Sequence, residues 1–151
     1  MKKVRWKILI LSLLIVYVVA FLGSLFTSTG TWYESVRPLI TPPNYVFPIV
    51  WNILFFLIAI GLYLTWISKK KEKAGVLWLI GINLFFNLLW SVLFFGLRLA
   101  SLAFVDLVFL WGSIFSIIYF GHEVNKKISW LFVPYFLWVS FAGILNWMVA
   151  F

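Results

Sequence analysis

Five long apolar runs, separated by short polar segments, account for most of the chain. A membrane-spanning helix needs about 20 consecutive, mostly apolar residues. The runs that approach or exceed this length are residues 8–26, 45–67, 74–97, 99–120 and 128–151. None of them alternates apolar and polar residues as the strands of a membrane β-barrel do, and lipid offers backbone groups no hydrogen-bond partner. The pattern therefore predicts an all-α membrane protein, a bundle of five transmembrane helices that forms a single domain over residues 1–151.

The composition excludes a soluble fold. Hydrophobic residues make up 65% of the 151 residues and charged residues only 11%, whereas a soluble domain has roughly 45–50% and 25%. A globule of this size has too little interior to bury so much apolar surface, so the excess must face lipid. We interpret the formal net charge of +8 as a signal of membrane topology, and no nucleic-acid partner is predicted.

The basic residues fall almost entirely on one side of the predicted bundle. Ten of the twelve Lys and Arg residues lie before the first run, between the second and third, or between the fourth and fifth: Lys2, Lys3, Arg5, Lys7, Lys69, Lys70, Lys71, Lys73, Lys126 and Lys127. Because loops rich in Lys and Arg stay in the cytoplasm, the amino terminus is expected inside and the carboxy terminus outside. The basic start and the first run also resemble a signal peptide. The length of that run and the lack of a small-residue cleavage site favour an uncleaved helix.

The longest connection, residues 27–43, is expected on the outer side. It contains Trp32 and Tyr33, followed by three prolines, which fix backbone angles and remove hydrogen-bond donors: Pro38, Pro42 and Pro43. Loops of this length are usually functional or disordered, and the aromatic residues favour a loop that folds back as a stiff lid. The alternative is that Trp32 and Tyr33 anchor the loop at the membrane interface.

Polar and aromatic side chains recur at helical spacing inside four of the runs. The candidates are Trp51 and Phe55, then Asn87 and Trp90, then Asp106, then Trp138, Ala142, Leu145 and Asn146. Residues four apart share a helix face, and polar groups in hydrocarbon should face the bundle interior or a wet cavity. Taken singly, each Asn more often joins two helices, and each Trp more often packs than binds. Together, under a proline-rich loop, they indicate an apolar ligand pocket with a few orienting polar groups.

The residue inventory leaves little for metal or cofactor chemistry. The chain has no Cys and a single His, His122, between the fourth and fifth runs. A haem held by axial imidazoles is therefore not expected, and neither a phosphate-binding loop nor a Ser-His-Asp set can be assembled. No metal ligand and no cofactor is predicted, so any chemistry would rely on the ligand and light.

Ordered motifs from Trp32 onwards resemble the TspO/MBR family, also known as tryptophan-rich sensory proteins, translocator proteins or peripheral benzodiazepine receptors. The motifs are WY at 32–33, RP at 37–38, PP at 42–43, VFPIVW at 46–51, NLFFNLLWSVLFFG at 83–96, VDL at 105–107 and PYFLWVSFAGILN at 134–146. They occur in this order over nearly the whole chain. The set as a whole is therefore far more specific than any one motif.

The resemblance implies a five-helix protein, often a homodimer, in a bacterial plasma membrane and in contact with lipid. It implies binding of porphyrins, notably protoporphyrin IX, and of synthetic isoquinoline carboxamides and benzodiazepines. Some bacterial members are reported to degrade protoporphyrin in light and oxygen, so an enzymatic role is left open. Carried over by motif, pocket roles fall on Trp51, Asn87, Trp138 and Ala142, loop roles on Trp32, Pro42 and Pro43, and the photochemical, catalytic role on Trp51 and Trp138.

The chain departs from the family at two places, and its residues also fit two rival functions. Phe55 stands where the family often has Tyr, and no Lys or Arg follows Trp147, so the cholesterol motif, weak in any case, is incomplete. Arg37 is expected to pair with a propionate at the pocket mouth. The rivals to a porphyrin receptor are a carrier of tetrapyrroles or other lipophilic metabolites and a regulatory scaffold whose basic inner loops bind a partner.

Overall fold

The computed structural model describes residues 4–151, so Lys2 and Lys3, which contribute to the predicted orientation, lie outside the described part. Within this range every regular element is a helix. In chain order the elements are α1 (Trp6–Ser24), α2 (Thr31–Val36), α3 (Val46–Ile67), α4 (Lys73–Ser91), a π-helical turn that continues α4 (Val92–Gly96), α5 (Ala100–Val124) and α6 (Lys126–Ala150). All except the short α2 are long and apolar enough to cross a membrane, once the π-helical turn is joined to α4. The predicted bundle of five spanning helices is thus confirmed, while the orientation of its termini stays a prediction.

Local sequence explains several helix ends. Pro48 lies in the first turn of α3, where a backbone N–H has no helical partner to lose. Asn125 separates α5 from α6 in an extended conformation, and its side chain accepts a hydrogen bond of 3.1 Å from the backbone N–H of Lys127. This is the usual way to cap the start of a helix. Arg98, in the short turn before α5, has a φ of 57°, a left-handed conformation that residues other than glycine seldom adopt.

Helix packing makes one half of the bundle solid. Helices α5 and α6 form the most extensive pair, α4 packs against α5, and α1 packs against α3 and α4. Small residues allow close approach: a Cβ added to Gly61 on α3 would lie 2.5 Å from Cε2 of Phe132 on α6. The fully buried apolar side chains around this contact, Ile58, Ile80, Ile114, Ile117 and Ile128, come from the helix halves remote from the loop at residues 27–43.

The outward faces of the helices are apolar. Leu14, Phe85, Phe109 and Leu137, on four different helices, are each exposed by more than half of their surface. Large apolar side chains in such numbers on the outside suit a surface that lies in lipid.

Candidate ligand-binding site

A cavity of about 500 Å³ lies in the half of the bundle nearest the outer loop. Its wall is built from α1, the start of α3, the end of α4 with its π-helical turn, α5, the second half of α6 and the loop itself. The volume falls within the range of roughly 300–1,000 Å³ that is typical of small-molecule sites. Most of the lining side chains are apolar or aromatic. The cavity is therefore the candidate ligand-binding site.

Aromatic rings from α3 and α6 form one wall of the cavity. Trp51 lies 5.5 Å from Phe55, with an angle of 31° between the ring planes, and presents an edge-on contact of 6.1 Å to Tyr135. Phe47, one helical turn before Trp51, contacts Trp138 at 5.8 Å. The spacing of four residues brings Phe47, Trp51 and Phe55 to one face of α3. Such a wall offers flat apolar faces on which a planar ligand can stack.

Polar groups around the cavity are held by hydrogen bonds between helices. Asn87 on α4 donates from Nδ2 to Oη of Tyr135 on α6 at 2.9 Å. Trp90 donates from Nε1 to Oδ1 of Asn146 at 2.9 Å, and Nδ2 of Asn146 donates to the backbone carbonyl of Ala100 at 2.9 Å. Asn87 and Asn146 therefore both join helices and line the cavity. The two roles that the sequence leaves open for them, contact between helices and contact with a ligand, are compatible.

Two buried donors in the wall have no hydrogen-bond partner within residues 4–151. These are Nε1 of Trp138 and Oγ1 of Thr41 in the loop, and both residues line the cavity. A buried donor without a partner costs about 1–3 kcal/mol. An acceptor atom of a ligand would relieve that cost, so these groups are suited to orient a bound molecule.

The outer loop covers the cavity through α2, which the sequence pattern did not predict. Tyr33 is buried and contacts Phe95 at 5.7 Å, and Trp32 presents an edge to Phe94 at 5.6 Å. The guanidinium carbon of Arg98 lies 5.8 Å from the centre of the Trp32 ring. Burial raises the pKa of Tyr33, although Arg37 acts in the opposite direction, so the phenol stays neutral. The loop is thus fixed onto the bundle by aromatic contacts.

The π-helical turn supplies the rings against which the loop packs. Its wider winding is seen in the hydrogen bond from the backbone N–H of Leu97 to the carbonyl of Val92, at 2.8 Å and five residues apart. Both Phe94 and Phe95 line the cavity, and Phe94 stacks on Trp90 at 5.0 Å with an interplanar angle of 14°. Turns of this kind are often found at functional sites.

Most of the predicted ligand-binding residues meet at the cavity. Those that line it are Trp51, Phe55, Asn87, Trp90, Trp138, Ala142, Leu145 and Asn146. Trp32, Pro42 and Pro43 belong to the covering loop and do not line the cavity. Asp106 is also outside the lining, although Leu107 beside it is part of it; its carboxylate is buried, and neither oxygen has a hydrogen-bond partner among the described residues.

Several lining residues fall outside the set that the sequence predicts. Phe47 lies four residues before Trp51, and Phe94 lies four residues after Trp90, so extending each predicted face by one turn would have found them. Thr41 and Asn44, in contrast, line the cavity because of the path of the loop. No periodic signal in the sequence marks them.

Comparison with known proteins gives similarity along almost the whole chain. The family profile described as the TspO/MBR family matches residues 12–151. The tryptophan-rich protein TspO of Archaeoglobus fulgidus is 39% identical over 145 residues, which cover 93% of this chain and 94% of that protein. Its namesake in Chlorobaculum tepidum is 39% identical over 137 residues, 87% of this chain and 86% of the relative. The translocator protein of Bos taurus is 32% identical over 133 residues, 84% of this chain and 79% of the relative.

Proposed function

The chain belongs to the TspO/MBR family, and on that premise we propose that it is a membrane receptor for porphyrins that promotes their breakdown in light and oxygen. Its five spanning helices make it a multi-pass integral membrane protein, and its bacterial and archaeal relatives support the predicted place in a bacterial membrane. Relatives in the family are named translocator protein and tryptophan-rich sensory protein. These names support a family of membrane receptors and transporters. The finer assignment to porphyrins rests on the cavity.

The observation that carries the proposal is an aromatic cavity with few polar groups beneath a covering loop. Protoporphyrin IX is a large, flat, apolar ring with two carboxylates. The rings of Trp51, Phe55 and Trp138 supply stacking faces, and the unpartnered donors of Trp138 and Thr41 supply hydrogen bonds. No imidazole lines the described cavity, so the metal-free ring suits the site better than a haem, which needs an axial ligand.

Photochemistry would follow from binding without a further cofactor. The porphyrin ring absorbs the light and activates dissolved oxygen itself. Trp51 contacts Tyr135 and Trp138 contacts Phe47, and both indoles line the cavity, so a bound ring would rest beside oxidisable indoles. The protein needs only to hold the ring there and to exclude the bulk solvent.

A titration with protoporphyrin IX, first in the dark and then under illumination, tests the proposal. Binding should quench porphyrin fluorescence, and light should lower the porphyrin absorbance while a new product appears. Replacing both Trp51 and Trp138 with Phe should abolish the conversion at saturating porphyrin, because the rings stay apolar but the indoles are lost. The matched control replaces Trp111 and Trp147 with Phe, since both are exposed outside the cavity. If the Trp51/Trp138 double variant converts porphyrin as fast as the wild type, the catalytic assignment is wrong.

Transport of tetrapyrroles is a second candidate, favoured by one structural feature. Thr27, Thr29 and Asn44 line the cavity and are exposed, so the cavity communicates with the outside at its loop end. A carrier would release porphyrin at the other end as well. Porphyrin flux into sealed vesicles that contain the protein, measured in the dark, separates the two functions: a receptor binds without net flux.

A further inference from the structure

Three side chains at the edge of the outer loop form a closed polar triangle. Arg37 and Glu34 form an ion pair of 2.9 Å between Nη2 and Oε2. Arg37 also donates from Nη1 to Oδ1 of Asn44 at 3.3 Å, and Nδ2 of Asn44 donates to Oε1 of Glu34 at 3.1 Å. The triangle joins the second half of α2 to the residues just before α3.

The triangle adjoins the cavity through its own members. Asn44 lines the cavity. Arg37 follows Tyr33 by one helical turn, its backbone N–H bonding to the Tyr33 carbonyl at 2.9 Å, and Tyr33 lines the cavity too. Asn44 accepts from Nη1 of Arg37 at 3.3 Å and lines the cavity, so the guanidinium lies one hydrogen-bonded side chain away from the cavity. Thr41, four residues after Arg37, lines the cavity as well, and its Oγ1 is a buried donor without a partner among the described residues.

The charges at this end of the bundle favour an anion. Among the described residues that connect the helices on the loop side, the ionisable cations are Arg37 and Arg98, and the carboxylate side chain is that of Glu34. Arg98 is engaged with the ring of Trp32. Arg37 is thus the cation positioned for a ligand carboxylate, and Glu34 already occupies it.

The bond between Arg37 and Glu34 is of a kind that exchanges easily. The two side chains are 35% and 41% exposed, and ion pairs so close to solvent contribute little to stability. The ion pair joins Nη2 to Oε2, while Nη1 donates to Asn44, whereas a carboxylate bound by two parallel hydrogen bonds is held more strongly. When the cavity holds a ligand, the carboxylate of that ligand is already in position to replace the carboxylate of Glu34.

We propose that Glu34 stands in for a ligand carboxylate on Arg37, and that an anionic ligand entering the cavity displaces it. This inference rests on the proposed porphyrin site and deepens it. Glu34 then determines specificity, because it lowers the gain that a ligand obtains from carrying a carboxylate. A neutral ligand of the same shape binds without displacing Glu34, so its affinity does not depend on the charge of residue 34.

The test compares two ligands with the same ring, one with free carboxylates and one with neutral methyl esters in their place. Protoporphyrin IX and its dimethyl ester share the same ring, and their dissociation constants are measured in the dark on the full chain in detergent micelles. The variants are Glu34→Gln, Arg37→Gln and the double variant. The control is Glu123→Gln, which removes an exposed carboxylate at the other end of the bundle. Glu34→Gln preserves the side-chain oxygen that accepts from Asn44.

The expected effects concern the acid and leave the ester unchanged. Glu34→Gln should tighten binding of the acid about two- to fivefold, the size expected when an exposed carboxylate no longer competes for an arginine. Arg37→Gln should weaken binding of the acid roughly tenfold, as loss of a charge-assisted hydrogen bond does. Most of the gain from Glu34→Gln should vanish when Arg37 is already Gln, because there is then no shared cation.

Each outcome separates this inference from the proposed function. If Glu34→Gln changes the acid and the ester alike, the triangle only fastens the loop and the exchange is refuted. If Glu34→Gln tightens binding of the acid equally with and without Arg37, then Glu34 acts only by repelling the ligand carboxylate. The exchange on Arg37 is then refuted. If the wild type binds neither porphyrin, the proposed function falls and the exchange falls with it; if it binds both and the variants change neither, only the exchange is lost.

Discussion

Asn146 is the residue through which α4, α5 and α6 are joined at the cavity, and its replacement by Ala tests the packing argument. The side chain is 1% exposed. It accepts from Trp90 and donates to the carbonyl of Ala100, both at 2.9 Å. Two hydrogen bonds between membrane helices are worth about 0.6 kcal/mol each. The indole N–H of Trp90, left without its partner, adds about 1–3 kcal/mol. We therefore expect Asn146→Ala to lower the free energy of unfolding by about 2–4 kcal/mol.

The matched control is Ser140→Ala, which removes an indole partner that faces away from the cavity. Ser140 accepts from Nε1 of Trp111 at 2.9 Å, and Trp111 is 39% exposed. About 0.6 kcal/mol should be lost there, the usual worth of a single hydrogen bond between membrane helices. Unfolding in mixed micelles with increasing sodium dodecyl sulfate, followed by circular dichroism, gives both values. A variant at Asn146 that is no less stable than the control would refute the role assigned to this junction.

Three further predictions concern close contacts and the loop. Gly61→Ala should lower stability by about 1–3 kcal/mol through overpacking, since the new Cβ would lie 2.5 Å from Phe132. The control Gly81→Ala, whose Cβ would meet nothing within 4 Å, should leave stability unchanged. Equal melting temperatures of the two variants would contradict this. Phe94→Ala should speed amide hydrogen exchange across residues 27–43, because the 4% exposed ring supports the loop; unchanged exchange would mean that the loop is fastened elsewhere. At the φ of 57° of Arg98, Arg98→Val should be less stable than Arg98→Gly by about 1–2 kcal/mol, which thermal unfolding of the pair measures.

The spanning helices were predictable because lipid leaves the backbone few choices. Any apolar run of sufficient length must satisfy its own hydrogen bonds and become a helix. The two elements that the pattern missed are local departures from this rule. Helix α2 lies in the loop, where water competes for backbone groups, and this short helix is stabilised by packing of Trp32 and Tyr33 against Phe94 and Phe95. The π-helical turn is continuous with α4 in sequence pattern and differs only in its winding.

The candidate site was predictable where it follows helical spacing. Trp51 with Phe55, and Trp138 with Ala142, share a face by their separation of four residues, and both pairs line the cavity. Asn83 and Asn87 share a face by the same rule, yet Asn83 donates to Ser113 at 2.9 Å inside the solid half and Asn87 reaches the cavity. Spacing identifies a face, but the depth along the helix at which the bundle opens depends on the neighbouring helices.

The sequence by itself determined the number and course of the spanning helices, because their length and apolar character are properties of each run alone. It also determined the family, because the ordered motifs are a property of the chain in one dimension. Only the tertiary structure decided where the bundle is hollow, which indole N–H groups are left without partners, and that Arg37 is already occupied by Glu34. These features arise between elements distant in sequence, whose relative rotation and depth are set by packing, a balance of many contacts that no single segment contains.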